Sequence, residues 1–376
     1  MFIHRIVESQ IKRYFFKRRA IILYGARQTG KTTLVKHLIK NNEKSIYFNA
    51  DLIVDRELWH PKSVNYLQTI IKENELVIID EAQNIKDIGL VLKILVDNFP
   101  DKQIIATGSS SFDLINKTGE SLTGRKWVFN LYPFSYTEIY NEFGVYKTRN
   151  FLDFILVYGM YPEAFLNMED AEDILFDLVN SYLLKDILIW GRIRRSDKLM
   201  NLLRLLAYQT GNVVSYNKLA NELDMDIVTV KNYIDLLEKC FIVFRLPTYS
   251  GNLSNELKKS RKIYFWDLGI RNAVIEDFTP FEIRQDKGQI WENFIVSEFM
   301  KNNSNLKAAK RLYFWRNKDK SEIDLVELKN NEIKAFEIKL KKDKIRIPAG
   351  FKRYKPKSFE TINFSNFEEY LVNNAM

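Results

Sequence analysis

A chain of 376 residues is long enough for two or three domains, each able to bury its own core. The hydrophobic fraction of 46% is ordinary for globular protein, and no apolar run approaches the ~18 residues of a membrane span. The single cysteine, Cys240, excludes an internal disulfide and fits a reducing, cytoplasmic setting; the net charge of +9 leans weakly toward a polyanionic partner, DNA or RNA first.

The N-terminus is basic and partly amphipathic (Arg5, Lys12, Arg13, Lys17, Arg18, Arg19), without the apolar core of a signal peptide. It leads into Ala20–Tyr24, an apolar run expected as a buried parallel strand. Then comes Gly25-Ala26-Arg27-Gln28-Thr29-Gly30-Lys31-Thr32-Thr33, a complete Gly-x-x-x-x-Gly-Lys-Thr phosphate loop. The glycines let successive N–H groups converge on a phosphate. Lys31 reaches the β- and γ-phosphates of ATP, and the Thr32 hydroxyl sits on Mg²⁺. Residues 33–39 have helical spacing, so phosphate would meet a helix N-terminus.

Ser45–Phe48 is a second strand candidate and Leu76–Ile79 a third, the latter ending in Asp80-Glu81. At that strand end Asp80 would hold the Mg²⁺ that accompanies ATP, and Glu81 would accept a proton from attacking water. Ile104–Thr107 opens into Gly108-Ser109-Ser110-Ser111, whose hydroxyls, Ser109 in particular, would orient the water or sense the γ-phosphate. Trp127–Asn130 completes five strands alternating with helical patterns, the signature of a parallel α/β sheet. From Pro133 to about Arg195 the pattern is helical, read as a lid.

Residues 196–250 have a winged-helix pattern. Leu199, Leu202, Leu203, Leu205 and Leu206 line one helix. Ser215 and Asp226 are caps for two more, and Phe241–Leu246 alternates as a strand before a turn at Tyr249-Ser250-Gly251-Asn252. Asp226, Asp235 and Glu238 beside Lys231 and Lys239 make the second of these helices acidic for one that reads DNA, leaving a purely structural linker as the other reading.

From Gly288 onward a second constellation appears. Glu292 lies on a helical stretch, and two alternating strands carry Asp324 and Glu337-Ile338-Lys339, joined by Lys329-Asn330-Asn331-Glu332. Alternation puts Glu337 and Lys339 on one face, with Asp324 in reach. Two facing carboxylates repel unless a cation lies between them. Mg²⁺ held by Asp324 and Glu337 would activate water against a phosphodiester, with Lys339 stabilising the developing charge. A polar face of a charged sheet is the plainer account of the same residues. Basic residues concentrate at Lys339-Leu340-Lys341-Lys342 and Lys352-Arg353-Tyr354-Lys355-Pro356-Lys357.

The phosphate loop, Asp80-Glu81, Thr107-Gly108-Ser109-Ser110, Gly124-Arg125 and Leu131-Tyr132-Pro133-Phe134-Ser135-Tyr136-Thr137-Glu138 together resemble the prokaryotic AAA-type ATPases with a C-terminal domain of unassigned function. So do Tyr158-Gly159-Met160-Tyr161-Pro162-Glu163, with Met160 where a second glycine is usual, and 262–272. The C-terminal part is similar to the restriction-endonuclease fold, Glu292, Asp324, Glu337 and Lys339 matching its PD-(D/E)XK active-site pattern. The resemblance implies ATP binding, Mg²⁺ and hydrolysis. At Arg125 it implies an arginine finger, which in trans requires a homo-oligomer; a structural arginine at a strand start fits equally.

The expected architecture is therefore a P-loop AAA-type ATPase domain with a helical part over 1–195, a winged-helix module over 196–260 and a restriction-endonuclease-like α/β domain over 261–376. The expected function is an ATPase whose nucleotide state controls a nuclease-like domain acting on nucleic acid. The alternative is an ATP-dependent switch that binds DNA or a protein through an inactive nuclease fold. No membrane partner is expected.

Overall fold

The five apolar runs of the first third become five parallel strands in the computed structural model, which describes residues 1–40, 42–59, 63–108, 122–183, 196–251, 261–341 and 345–372. They are β1 (Ala20–Tyr24), β2 (Ser45–Asn49), β3 (Leu76–Asp80), β4 (Gln103–Gly108) and β5 (Lys126–Asn130), in the order β2-β3-β4-β1-β5. Each exceeds the run expected from sequence by no more than one residue at either end. β1, β3 and β4 are buried at every position, which explains the apolar runs at their centres. Ile21, Leu23, Ile78 and Ile105 pack with Leu34 and Val35 of the helix Lys31–Ile39 and with Val7 and Ile11 of the helix Ile6–Arg13. β4 lies between β1 and β3, so the end of β4 stands between the phosphate loop and Asp80.

By proximity of its residues the chain divides into two compact units. One is Phe2–Tyr132 with Lys239–Phe241; the other is Pro133–Glu238 with the chain from Ile242 onward. The helices after Pro133 therefore group with the C-terminal half, and buried polar contacts give the reason. Ser135 caps the helix Tyr136–Asn150 in a reciprocal capping box with Glu138. Tyr136 N donates to Glu298 (2.7 Å), and Lys301 Nζ donates to Phe134 O (3.0 Å) and to Glu298 (2.8 Å), both partners being fully buried. Asp267 accepts from Met160 N (2.7 Å), and Asn272 donates to Val157 O (2.7 Å). A Cβ on Gly269 would lie 2.1 Å from the Tyr158 carbonyl oxygen, so only glycine permits that approach. Two of the stretches that carry the family resemblance thus dock on each other.

Further along this unit run the helices Ser196–Tyr208, Tyr216–Glu222 and Ile227–Lys239. Ser215 and Asp226 cap the second and third, Asp226 accepting from Thr229 N at 2.8 Å. They accompany an antiparallel sheet of β6 (Val213–Val214), β7 (Val243–Pro247) and β8 (Arg261–Phe265), in the order β6-β8-β7. Arg245 of β7 pairs with Asp235 and with Glu238, whose carboxylate it meets at 2.8 Å through Nε. The acidity of the third helix is therefore partly internal, absorbed by one arginine. Asn252 lies outside the described residues.

The last sheet holds β9 (Arg311–Arg316), β10 (Glu322–Lys329), β11 (Glu332–Ile338) and β12 (Ser358–Ile362), in the order β12-β11-β10-β9. β9, β10 and β11 are antiparallel, and β12 runs parallel to β11. Asn330 and Asn331 take positive φ (49° and 65°) between the paired Lys329 and Glu332, the geometry of a two-residue hairpin turn. The helix Lys287–Asn305 packs against β8 and β11 and carries Glu292, Glu298 and Lys301.

Candidate functional site

The phosphate loop is shaped by what it must avoid. A Cβ on Gly25 would lie 2.2 Å from the Leu131 carbonyl oxygen, so any side chain there displaces backbone. Gly30, at φ 90°, caps the helix that begins with Lys31. The guanidinium of Arg5 donates to Thr29 O (2.8 Å) and Tyr132 O (2.6 Å), bracing the loop from outside. Thr29 Oγ1 donates back to Ala26 O at 2.9 Å. Lys31 Nζ donates to Gly25 O (3.0 Å) and Ala26 O (2.8 Å), neutral acceptors it can exchange for phosphate oxygens. Gln28 is half-buried, whereas Arg27 and Thr33 face solvent.

Asp80, only 2% exposed, gathers three hydroxyls. Thr32 Oγ1 donates to it at 2.7 Å and the Tyr47 hydroxyl at 2.6 Å; Thr107 Oγ1 donates to its other oxygen. Thr107 Oγ1 also accepts from Glu81 N (3.0 Å), which fixes Glu81 relative to Asp80. Burial, then the hydrogen bond to Asp80, hold the Tyr47 phenol well above its ordinary pKa, so Tyr47 is a donor at neutral pH. Glu81 takes left-handed backbone (φ 51°) and is half-buried, and Gln83 Nε2 donates to its carboxylate. Thr32 and Asp80 are hard oxygen donors of the kind Mg²⁺ takes. Ser109 lies outside the described residues.

Arg125 does not join this group. Ala20 pairs with Lys126 in parallel register, so Arg125 precedes the start of β5, at the sheet edge opposite the loop that follows Tyr24. Five strand residues span roughly 17 Å. Its Nε meets Asp97 at 2.6 Å, and Arg125 does not reach the phosphate loop of its own chain.

In the C-terminal half, Glu292, Asp324, Glu337 and Lys339 come together. Lys339 Nζ lies 3.0 Å from Glu337 and 3.4 Å from Asp324, whose Oδ2 also accepts from Ile338 N at 2.8 Å. A second ammonium sits deeper: Lys262 of β8, 1% exposed, is 2.8 Å from Glu292, 2.5 Å from Glu322 and 4.0 Å from Asp324. Tyr264 donates to Glu292 at 2.6 Å. Burial works against the charge of Lys262, yet Glu292, Asp324 and Glu322 hold its pKa above the ordinary value. Burial, then Asp324, push Glu337 up to about 7, with Lys339 opposing. Burial likewise raises Glu292, against Lys262.

Residues 17–140 match the family model described as an AAA domain. With the parallel sheet and its loop, this region is a P-loop ATPase domain. ATP binding and hydrolysis are what such a fold implies. Residues 149–280 and 287–373 match two models described as domains of unknown function, DUF8612 and DUF4143. An uncharacterized protein of Mycobacterium tuberculosis is 28% identical over 342 residues, covering 89% of this chain and 73% of that one. An uncharacterized protein of Haemophilus influenzae is 25% identical over 346 residues, covering 84% and 82%. Among solved structures, a Walker-type ATPase of Pyrococcus abyssi aligns over 73% of this chain and 96% of its own, with 15% identity and a TM-score of 0.47. The match to DUF4143 gives a boundary for the C-terminal domain but does not assign it a restriction-endonuclease-like fold. No described helix is long and apolar enough to cross a membrane.

Sequence reasoning overlooked Lys262, Tyr264 and Glu322 in the second cluster, and Tyr47 and Thr107 as partners of Asp80. One signal was present: Lys262 and Tyr264 are two apart on a strand, hence on one face. Both meet Glu292, thirty and twenty-eight residues away.

Proposed function

We propose that the chain is an Mg²⁺-dependent ATPase whose nucleotide state controls a nucleic-acid-directed C-terminal region. The contact between Thr32 and Asp80, with Glu81 next to it, carries the first half of this reading. Mg²⁺, when bound with ATP, neutralises charge on the phosphate oxygens, and Thr32 and Asp80 are the residues to hold it. Lys31 exchanges the carbonyls of Gly25 and Ala26 for phosphate oxygens, and Glu81 accepts the proton of attacking water. Ser109 is proposed to orient that water, and Arg125 to serve the nucleotide of a second copy.

The second half rests on Asp324, Glu337 and Lys339 meeting within hydrogen-bonding range, with Glu292 nearby. Asp324 and Glu337 would share a divalent ion, and Lys339 would face the phosphodiester. The winged-helix-like elements and the basic stretch at Lys352, Arg353, Lys355 and Lys357 would hold the nucleic acid. One observation favours a non-cleaving variant: Lys262 already supplies a buried positive charge among Glu292, Glu322 and Asp324. On that second reading the domain binds DNA or a protein and the ATPase acts as a switch.

The test is a cleavage assay on DNA and RNA with Mg²⁺ or Mn²⁺, with and without ATP. Cleavage lost in Asp324→Ala and Glu337→Ala while ATPase activity survives supports the nuclease. No cleavage of any substrate, together with salt-sensitive binding that weakens when the four basic residues are replaced, supports the switch.

A further inference from the structure

The chain has three histidines, and two of them, His4 and His37, meet at Glu8. One ring nitrogen of His4, one of His37 and a carboxylate oxygen of Glu8 all lie within 4.8 Å of one another. His37 Nε2 is 3.6 Å from Glu8 Oε1. Phe2 stacks on His37 at a centroid distance of 4.0 Å, covering one face of the imidazole. Lys12 Nζ also meets Glu8 Oε1, at 2.6 Å. Glu8 is buried, whereas His4 is exposed, so the cluster opens to solvent on the His4 side.

We propose that His4, Glu8 and His37 form a site for a divalent transition metal of the zinc class, separate from the Mg²⁺ that accompanies nucleotide. Two imidazoles and one carboxylate are a ligand set that zinc takes, with the fourth position left to water. Tetrahedral bonds of about 2.0–2.1 Å require small side-chain rotations from the separations seen here. Lys12, whose side chain is half exposed, is the competitor for Glu8, and a metal ion would displace its ammonium toward solvent.

The position gives the site a mechanical consequence. His37 lies in the last turn of the helix that begins with Lys31. Arg5, next to His4, holds Thr29 at the other end of that helix through a hydrogen bond of 2.8 Å. One short N-terminal segment therefore grips the phosphate-loop helix at both ends, and the metal would lock the grip about 10 Å from the loop.

The test uses the full chain, freed of metal with a chelator and without nucleotide. Co²⁺ is titrated and followed by visible absorption, then displaced with Zn²⁺. One equivalent should bind, and His4→Ala and His37→Ala should each weaken binding at least tenfold, since losing even an outer partner of a ligand costs about 10- to 100-fold. Zn²⁺ should raise the thermal unfolding midpoint of the wild type but not of His4→Ala. That variant changes an exposed residue, and so reports even where His37→Ala fails to fold. Absence of binding at about 100 μM metal, or equal binding by wild type and His4→Ala, overturns the proposal and leaves Glu8, Lys12 and His37 as an ion-pair cluster.

Discussion

The two carboxylate centres of this molecule are compensated in opposite ways. In the phosphate-loop unit, the described partners of Asp80 are three neutral hydroxyls, and Lys31 rests on two backbone carbonyls. In these described contacts, Asp80 and Lys31 each meet neutral groups that a ligand can replace. In the C-terminal unit, Glu292, Glu322, Asp324 and Glu337 face two lysines, Lys262 and Lys339, within ion-pair distance. On the proposed function, nucleotide and its Mg²⁺ complete the first arrangement. The second already carries much of its own counter-charge, and an incoming cation must displace or supplement a lysine.

The largest expected effects test the first side of that contrast. Lys31→Ala should abolish tight ATP binding and turnover, because the loop then lacks the cation aimed at the β- and γ-phosphates. Full ATPase activity in a folded Lys31→Ala protein would break the idea that this centre awaits phosphate. Glu81→Gln should keep nucleotide affinity and slow turnover by about 10²–10⁴-fold, the usual worth of a general base. Steady-state turnover and nucleotide affinity, measured on the same preparation, separate the two roles. Collapsed affinity with unchanged turnover per bound nucleotide would remove Glu81 from the chemistry.

Lys262→Met probes the second side. It keeps an apolar stem and removes the buried charge, leaving Glu292, Glu322 and Asp324 without their shared cation. Removing one partner of a buried ion pair costs on the order of 3–5 kcal/mol. The denaturant midpoint should fall accordingly. Millimolar Mg²⁺ or Mn²⁺ sharpens the comparison: recovery of the midpoint means that the carboxylates accept a divalent ion where the lysine stood, whereas no recovery means that Lys262 is a fixed counter-ion. A variant as stable as wild type without metal would show that the carboxylates never needed this lysine.

How far sequence reaches differs between the same two regions. β1, β3 and β4 were legible because strands buried on both faces keep polar residues to their ends, leaving an apolar run in the middle. The phosphate loop was legible because each residue type in it has one mechanical reason. The hairpin at Asn330-Asn331 was legible because few other residues tolerate two successive positive φ values. The lysines' partners were another matter. Lys262 and Glu292 belong to a strand and a helix thirty residues apart, and Arg5 meets Thr29 and Tyr132 across 24 and 127 residues. Such pairs obey no local period. The place of the helices after Pro133 was hidden likewise, since it depends on Asp267, Glu298 and Lys301 far along the chain.

The smallest effect is a pH dependence. Burial, then Asp324, raise Glu337 from its ordinary value of 4.5 to about 7, so the folded state favours the protonated acid. Stability from this group is fully present below pH 4.5 and is lost as pH rises through about 7. Glu337→Gln mimics the neutral acid at every pH. At pH 5, just above the ordinary value, the variant and wild type should differ least of the three conditions. By pH 8.5 the variant should be the more stable, by on the order of 1–3 kcal/mol, since one pKa unit is about 1.4 kcal/mol. Denaturation curves at pH 5, 7 and 8.5 give the difference directly. Mg²⁺ should flatten it in the wild type, because a cation bound by Asp324 and Glu337 favours the ionised acid. A difference that stays constant from pH 5 to 8.5 would mean that Lys339 balances Glu337 fully. The second centre would then be as self-contained as an internal salt bridge, with no charge left over for an incoming ion.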